Sequence, residues 1–469
     1  MIQMQQVTIK RLRGFHFTLA AAAATLFVIA PAYAGQQKVG AIIGDFVQAQ
    51  PDAIPHFTCE VKPFDLSAGL YCYDPLTIRA AYGVQSLIDS GATGAGQTIV
   101  ILDAFGSPTI QSDLLDFDAL FQIPAPPSFQ IVTMPGTPAF DPTNNDMVGW
   151  TEEIALDVQW SHAMAPGANI VLVAAKSDSD ADLIAAFNFA VDNHLGNVIS
   201  MSFGESEITL ANPDGLDTIA AWTAAFEKAR QHHITVFASS GDQGVDTQSF
   251  DTPSVSWPAS SPLVTSVGGT NLRFGTATNA SFTGSYQFEQ VWDDPFDNNN
   301  IAADTFGAGG GGMSFLVTEP HFQRNNVPDA VNKTLHGNRG VPDVAYNAGV
   351  AGGVLAHVGT IAPGATSFFL FGGTSAGSPQ WAGIIADINS VLKRPVGFIN
   401  KWLYQLGGQG VLNGLTHDVT IGNNGFDNVP GYPASAGYDL STGWGTPNFG
   451  NLSFMLSHPP TDSDPGSDP

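Results

Sequence analysis

The chain has few cations for its size. Its 469 residues include 16 Lys and Arg against 42 Asp and Glu, and the formal net charge at pH 7 is −26. A surface this negative repels nucleic acids and anionic lipids, so we expect neither as a partner. The excess of carboxyl groups suits an acidic medium, because protonation there removes most of the self-repulsion.

Long apolar runs are missing beyond the first 34 residues, so no membrane span is expected there. Near the N-terminus, a basic stretch at 10–13 precedes an apolar run over residues 15–30 and an Ala-x-Ala site that ends at Ala34. This order predicts a cleaved secretory signal peptide over residues 1–34 rather than an uncleaved anchor. We therefore expect a secreted protein, extracellular or periplasmic, with no membrane attachment after cleavage.

Cysteine occurs only twice, at Cys59 and Cys72, with no His directly beside either. Two such thiols do not make a metal site, and an exported protein meets oxidising conditions. The sequence therefore predicts a Cys59–Cys72 disulfide. The bridge would close a short loop within residues 35–73, a segment of weak periodicity.

From residue 74 to residue 457 the pattern is that of one large α/β domain. Apolar runs that read as strands alternate with stretches that read as helices: strands over 98–103, 169–175, 197–203 and 235–239, and helices over 152–162, 181–193 and 220–232. Continuous apolar strands separated by helices predict a mostly parallel sheet with helices on both faces. Long loops are expected over 270–330, and disorder over the Pro- and Asp-rich tail at 458–469.

A candidate nucleophile lies in residues 372–383, which read GGTSAGSPQWAG. An apolar run precedes this segment and a helical pattern follows it. Ser375 is therefore expected on a tight strand-to-helix turn, where helix N-terminal amides stabilise an anion. Pro379 fits the first helical turn. A bare G-T-S tripeptide would indicate only a helix cap, whereas the longer string G-T-S-x-x-x-P-x-x-x-G favours a nucleophile.

The same segment satisfies the G-x-S-x-G pattern of α/β-hydrolases, in which a His follows the Ser along the chain. His417 is one of two histidines beyond Ser375, and no HGGG-type segment is present. A Ser–His esterase of the α/β-hydrolase type therefore remains an alternative.

Two carboxylates, Glu153 and Asp157, are four residues apart in the helical stretch WTEEIALDVQW and so share one face of the helix. Buried together, they would share a proton, and one pKa would rise. Such a carboxylate takes the proton of a Ser hydroxyl in acid, where a His base would already be charged. The apolar flanking residues favour this interpretation over a solvated acidic face, and Glu152 fits the spacing less well. Two carboxylates on one helix face do not easily flank a sugar bond, which disfavours a glycosidase.

A further acidic residue, Asp242, follows an apolar strand in the segment ASSGDQG at 238–244. Alone, this pattern indicates only a turn, because Asp after Gly is common in turns.

Taken together, the three segments resemble the sedolisin family of serine-carboxyl peptidases, and similar motifs run through most of residues 73–450. The resemblance implies a subtilisin-like fold. It also implies Ser375 as nucleophile, Glu153 as base, Asp157 as the acid that orients the base, and Asp242 as the donor in the oxyanion hole. Because a carboxyl donates a hydrogen bond only when protonated, such an enzyme works at low pH.

Subtilisin itself fits less well. Asp103 stands where its first triad Asp would lie, but no segment matches its His, and Asp242 stands where an Asn would be expected.

Near the C-terminus, Asp418 and Asp439 flank a Gly-rich loop. Ca²⁺ takes mixed sets of carboxylate and carbonyl oxygens. By the resemblance, the ligands would be these two carboxylates and the backbone carbonyls of Val419, Ser435 and Gly437. An ordinary turn-rich loop is the alternative.

These patterns predict a secreted, acid-acting serine-type endopeptidase, a hydrolase that binds Ca²⁺, acts on proteins or peptides, and is a monomer. Members of the family usually carry a long N-terminal prodomain, and residues 35–73 are too short for one. A second class stays open, namely a non-catalytic, calcium-stabilised extracellular domain, which predicts no turnover at any pH.

Overall fold

The computed structural model of the chain describes residues 42–50, 56–61, 71–245, 250–274, 286–294, 307–450 and 458–459. All of these fall in the unit that runs from Gln36 to Pro469. The predicted signal peptide and residues 460–469 of the predicted disordered tail lie outside the described residues.

The strands are β1 (Ile42–Gln48), β2 (Cys72–Tyr73), β3 (Thr98–Ala104), β4 (Phe129–Thr133), β5 (Asn169–Ala175), β6 (Val198–Met201), β7 (Glu205–Ser206), β8 (Thr235–Ser239), β9 (Ser256–Trp257), β10 (Thr265–Phe274), β11 (Tyr286–Val291), β12 (Gly312–Thr318), β13 (Asn338–Val341), β14 (Val344–Asn347), β15 (Gly353–His357), β16 (Ser367–Gly372), β17 (Thr416–His417) and β18 (Thr446–Pro447). The helices are α1 (Pro75–Ala81), α2 (Val84–Asp89), α3 (Ile110–Phe121), α4 (Asn145–Met164), α5 (Asp180–Asp192), α6 (Glu207–Leu210), α7 (Pro213–Gln231), α8 (His321–Arg324), α9 (Asp329–Leu335), α10 (Gly377–Leu392) and α11 (Asn400–Gly408). The expectation of long loops over 270–330 is wrong where β10, β11 and β12 lie.

The central sheet has the strand order β11-β10-β8-β6-β3-β5-β4, and β14 also pairs with β10. Every pairing is parallel except that of β10 with β11. The strands are continuous apolar runs because helices cover both faces. Along β3, the odd-numbered apolar residues pack with α4 and α10, and the even-numbered ones pack with α5 and α7. The predicted mostly parallel sheet between two helical layers is confirmed.

The greater part of helix α4 lies inside the protein and not on its surface. Asn144 caps its N-terminus, since the side chain accepts hydrogen bonds from the amides of Asp146 and Met147. From Glu153 to Met164 every residue is buried, because the helix packs against β3, α3, α10 and β15 at once. Polar side chains from Glu153 onward therefore lie in the interior of the fold.

A second, four-stranded sheet has the order β1-β16-β15-β2. Strand β1, from the N-terminal segment, runs antiparallel to β16 and places Ile42 opposite Gly372. The predicted disulfide is present, and it joins Cys59 to Cys72 on β2. The N-terminal segment is thus tied to the strand that leads to Ser375.

None of the helices in the ranges described above is both long and apolar enough to cross a lipid bilayer.

Candidate active site

Ser375 lies in a short 3₁₀ turn, Thr374–Ala376, between β16 and α10. The turn is tight because Gly373 adopts a φ of 100°, a conformation that favours glycine. The Ser375 side chain is fully buried, and its Oγ has no hydrogen-bond partner within the described ranges.

The two carboxylates predicted on one helix face, Glu153 and Asp157, are both buried on α4. Their side chains hydrogen-bond each other, and burial raises the Asp157 pKa well above its usual range. The negative charges of Asp103 and Glu153 raise this pKa further. Because α4 packs directly against the Thr374–Ala376 turn, the pair lies on the element next to the candidate nucleophile. The face is therefore not a solvated acidic one.

Asp103, near the end of β3, contributes a third buried carboxyl. Neither of its oxygens has a hydrogen-bond partner in the described part of the chain, and burial raises its pKa to about 8. As an odd-numbered residue of β3, it lies on the sheet face that α4 covers. In the sequence, Asp103 stands out only by its position relative to subtilisin. The signal that could have found it is an acidic residue at the carboxyl end of a buried parallel strand.

Ser202 follows β6, the strand that neighbours β3. No feature of the sequence predicts a role for it. Its Oγ donates to Asp157 Oδ1 at 2.9 Å and lies 3.4 Å from the carbonyl oxygen of Ser375. A single Ser has no motif to mark it, and only the pairing of β6 with β3 brings it to this site.

Asp242 lies in the turn after β8 and accepts two hydrogen bonds on one oxygen. The Thr374 amide donates to Oδ1 at 2.7 Å, and the Thr374 hydroxyl donates to the same atom at 2.8 Å. The Gly241 amide donates to the Thr374 hydroxyl at 3.0 Å, which directs the hydroxyl proton toward Asp242. Oδ2 has no partner among the described residues, and burial raises the Asp242 pKa to about 6.

His417, the base of the esterase alternative, contacts Tyr286 and Ala81. Its ring stacks on Tyr286 at a centroid distance of 3.7 Å and hydrogen-bonds the backbone of Ala81. Burial lowers its pKa to about 4. Since Ser375 Oγ has no hydrogen-bond partner in the described ranges, the structure does not pair it with this imidazole.

The predicted calcium loop brings its two carboxylates to one short segment. The Gly437 amide donates to Asp418 Oδ2 at 3.0 Å, and the Ser435 amide donates to Asp439 Oδ2 at 2.8 Å. The carbonyl oxygens of Val419, Ser435 and Gly437 accept none of the backbone hydrogen bonds formed among the described residues.

The donor set of this loop consists of hard oxygens, which fit Ca²⁺. No cluster of three or more His, Cys, Asp or Glu side chains in the described ranges could hold a metal. A calcium site here would therefore depend on two carboxylates and backbone oxygens.

A family model described as the subtilase family matches residues 136–402. Kumamolisin from Bacillus sp. (strain MN-32) is 33% identical over 432 residues, which cover 88% of this chain and 71% of that protein. Sedolisin from Pseudomonas sp. (strain 101) is 32% identical over 378 residues, which cover 78% of this chain and 59% of that protein.

Solved structures give the same result for the fold. Pseudomonas sedolisin, a serine-carboxyl proteinase in complex with two molecules of pseudo-iodotyrostatin, superposes with a TM-score of 0.67 at 28% identity. The match covers 83% of this chain and 99% of that one. A lanthipeptide protease, at 17% identity and a TM-score of 0.50 over 84% of this chain and 99% of that one, is similar in fold alone. The predicted subtilisin-like fold is confirmed.

Proposed function

Because this chain belongs to the sedolisin family of serine-carboxyl peptidases, we propose that it is a secreted, acid-acting endopeptidase that forms an acyl-enzyme on Ser375. The observation that carries the proposal is the buried pair Glu153 and Asp157 on the helix that packs against the Ser375 turn. Its substrates are proteins or peptides, in keeping with its peptidase relatives.

In the first step, Ser375 Oγ attacks the carbonyl carbon of the scissile peptide bond, and its proton passes to Glu153. Asp157 holds the Glu153 carboxyl in place through the hydrogen bond between them. An ionised carboxylate accepts this proton in acid, where an imidazole would already be protonated.

The attack places a negative charge on the former carbonyl oxygen. Asp242 stabilises it by donating a hydrogen bond from a protonated Oδ2, since Oδ1 already accepts both Thr374 donors. Glu153 then gives its proton to the leaving amine, the C–N bond breaks, and the acyl group stays on Ser375. In the second half, Glu153 takes a proton from water and the resulting hydroxide attacks the ester carbonyl. The ester C–O bond then breaks, and Glu153 returns its proton to Ser375 Oγ, which restores the hydroxyl and the ionised base.

The proposed dependence of activity on acid follows from Asp242, the hydrogen-bond donor to the oxyanion. A carboxyl donates only while it holds a proton, and the Asp242 pKa is raised to about 6. The fraction of enzyme with a protonated donor therefore falls as the pH rises through that value, and activity declines toward neutrality.

Ca²⁺ belongs to the proposal as a structural ion. Asp418, Asp439 and the backbone carbonyls of Val419, Ser435 and Gly437 would hold it, and the bound ion would supply charge neutralisation and a rigid C-terminal loop.

Secretion is proposed from residues 1–34, in which a basic stretch, an apolar run and an Ala-x-Ala site follow one another. N-terminal sequencing of the exported protein tests it and should find Gly35 first.

Trapping the acyl-enzyme tests the proposed function directly. The protein is mixed with an activated peptide ester at acidic pH and quenched in acid, and its peptides are analysed by mass spectrometry. The account predicts an acyl adduct on Ser375 that is absent in Ser375→Ala. The matched control Ser378→Ala, one helical turn away, should keep the adduct. A non-catalytic domain predicts no adduct in any of the three, and an adduct that survives Ser375→Ala would refute this nucleophile.

A further inference from the structure

Ser202 lies between the two elements that carry the proposed base and nucleophile. It follows β6 and is fully buried. Two residues earlier on the strand, the Ser200 hydroxyl lies 2.9 Å from the Ser378 hydroxyl of α10. Because side chains alternate along a strand, Ser200 and Ser202 share the sheet face that α4 and α10 cover.

The Ser202 hydroxyl carries one proton and has two acceptors within reach. Asp157 Oδ1 is at 2.9 Å, an ordinary hydrogen-bond length, while the Ser375 carbonyl oxygen is at 3.4 Å, beyond that range. The Ser202 hydroxyl therefore donates mainly to Asp157 Oδ1. The longer contact links the same hydroxyl to the backbone of Ser375, the proposed nucleophile.

A donor on Oδ1 decides where Asp157 keeps its own proton. If Oδ1 were protonated, that proton would compete with the one that Ser202 donates, so the acid proton is held on Oδ2. Glu153 is the other carboxyl that hydrogen-bonds Asp157. Oδ2 itself has no hydrogen-bond partner in the described part of the chain. With the proton of the pair held on Asp157, Glu153 is left ionised, as a base must be.

Building on the function proposed above, we infer that Ser202 is a positioning residue: its hydroxyl fixes Asp157 Oδ1 as a hydrogen-bond acceptor and so keeps the proton of the carboxyl pair on Asp157 Oδ2. It acts on the reaction only through Asp157 and touches no reacting atom.

Loss of this donor should change how the pair titrates. The Ser202 hydrogen bond lowers the Asp157 pKa against the effect of burial. The charged groups that act on Asp157 are Glu153 from its own helix and Asp103 from β3, while β6 contributes only the Ser202 hydroxyl. Without the hydroxyl, the ionised forms of the pair lose stabilisation, so both apparent pKa values of the pair rise.

The test compares Ser202→Ala and Ser202→Cys with the matched control Ser200→Ala. Cys keeps most of the side-chain volume but is a weak donor, so it separates loss of the hydrogen bond from loss of packing. We expect kcat to fall about tenfold in both Ser202 variants, as for loss of one buried hydrogen bond. KM should be unchanged, and the acid limb of the pH–rate profile should move to higher pH. Ser200→Ala should match the wild type in both respects.

Two results would overturn the inference. One is a kcat and an acid limb in the Ser202 variants equal to those of Ser200→Ala. The other is an activity loss in both Ser202 variants that follows only the loss of folded protein, with no shift of the acid limb. Ser375→Ala, run alongside, separates this inference from the proposed function. If it keeps activity, the proposed function has failed, whereas if it is inactive and the Ser202 variants are unaltered, only the role of Ser202 has failed.

Discussion

Thr374 donates two hydrogen bonds to the same oxygen of Asp242, one from its amide at 2.7 Å and one from its hydroxyl at 2.8 Å. A carboxyl with one oxygen occupied by two donors keeps its proton on the other. The residue before the nucleophile therefore orients the proposed oxyanion donor, and the peptide backbone between Thr374 and Ser375 fixes their relative position.

This relationship predicts different outcomes for two substitutions of Asp242. Asp242→Asn offers an amide oxygen to Thr374 and an N–H donor to the oxyanion at every pH, so it should retain activity with a neutral limb moved to higher pH. Asp242→Ala removes the donor, and kcat should fall by about 10²–10³-fold. The measurement is kcat from pH 3 to 8 for both variants. An Asn variant whose neutral limb coincides with that of the wild type would show that Asp242 protonation does not set that limb.

Stability should decline as the pH rises. Burial raises the pKa of Asp103 to about 8 and that of Asp242 to about 6, both above the values of an unfolded chain. The unfolded state therefore loses these protons first. The free energy of unfolding is greatest below about pH 4, the ordinary carboxyl pKa, and falls as the pH passes through about 6 and then about 8.

Urea unfolding at several pH values checks this decline, and Asp103→Asn serves as the matched variant. The amide cannot ionise, so the variant should lose less stability than the wild type between pH 6 and 8. A wild-type free energy of unfolding that is constant or rises from pH 4 to 8 would contradict the account.

The disulfide should contribute substantially to folding. It closes a sequence separation of 13 residues, and a loop of this size corresponds to about 3 kcal/mol of stabilisation. Phe57, two residues before Cys59, packs on Phe368 of β16 with ring centroids 5.3 Å apart, so loosening the segment also weakens the core beside the Ser375 strand. Replacing both Cys59 and Cys72 by Ser should lower the midpoint of thermal unfolding. Reduced wild type should behave like the double variant, and an unchanged midpoint in both would contradict this role.

Removal of calcium should destabilise the C-terminal loop. We expect a chelator to lower the thermal midpoint of the wild type, and Asp439→Asn to lower it without further response to the chelator. Asp427→Asn serves as the control, because this exposed loop residue is not in the proposed ligand set and its substitution should leave the chelator effect intact. A wild type that is insensitive to both chelator and added Ca²⁺ would leave the loop as an ordinary turn-rich segment.

Much of the central sheet could be predicted, because its strands are uninterrupted apolar runs. The predicted bounds of β5 and β8 equal those observed. The starts of α4 and α7 were predicted seven residues late. Each begins in polar sequence after an Asn cap, where no apolar periodicity marks the helix.

The residues of the candidate site also fall into those that the sequence could predict and those that it could not. Glu153 and Asp157 could be read from sequence because their spacing lies within one helix. Asp103 and Ser202 could not, since their place next to Asp157 depends on the lateral pairing of β3 with β6. The pairing of β1 with β16 could not be predicted from the sequence either, because strand partners so distant along the chain leave no local periodicity.

The most direct test of a carboxylate-based Ser375 mechanism is the hydrolysis of a denatured protein from pH 2 to 8. It compares the wild type with Ser375→Ala, Glu153→Gln and the neighbouring control Glu152→Gln. Activity should peak in acid and should be abolished by Ser375→Ala. Glu153→Gln should lower kcat by about 10²–10⁴-fold, and Glu152→Gln should remain near the wild type. A neutral optimum, or full activity in Glu153→Gln, would contradict this mechanism.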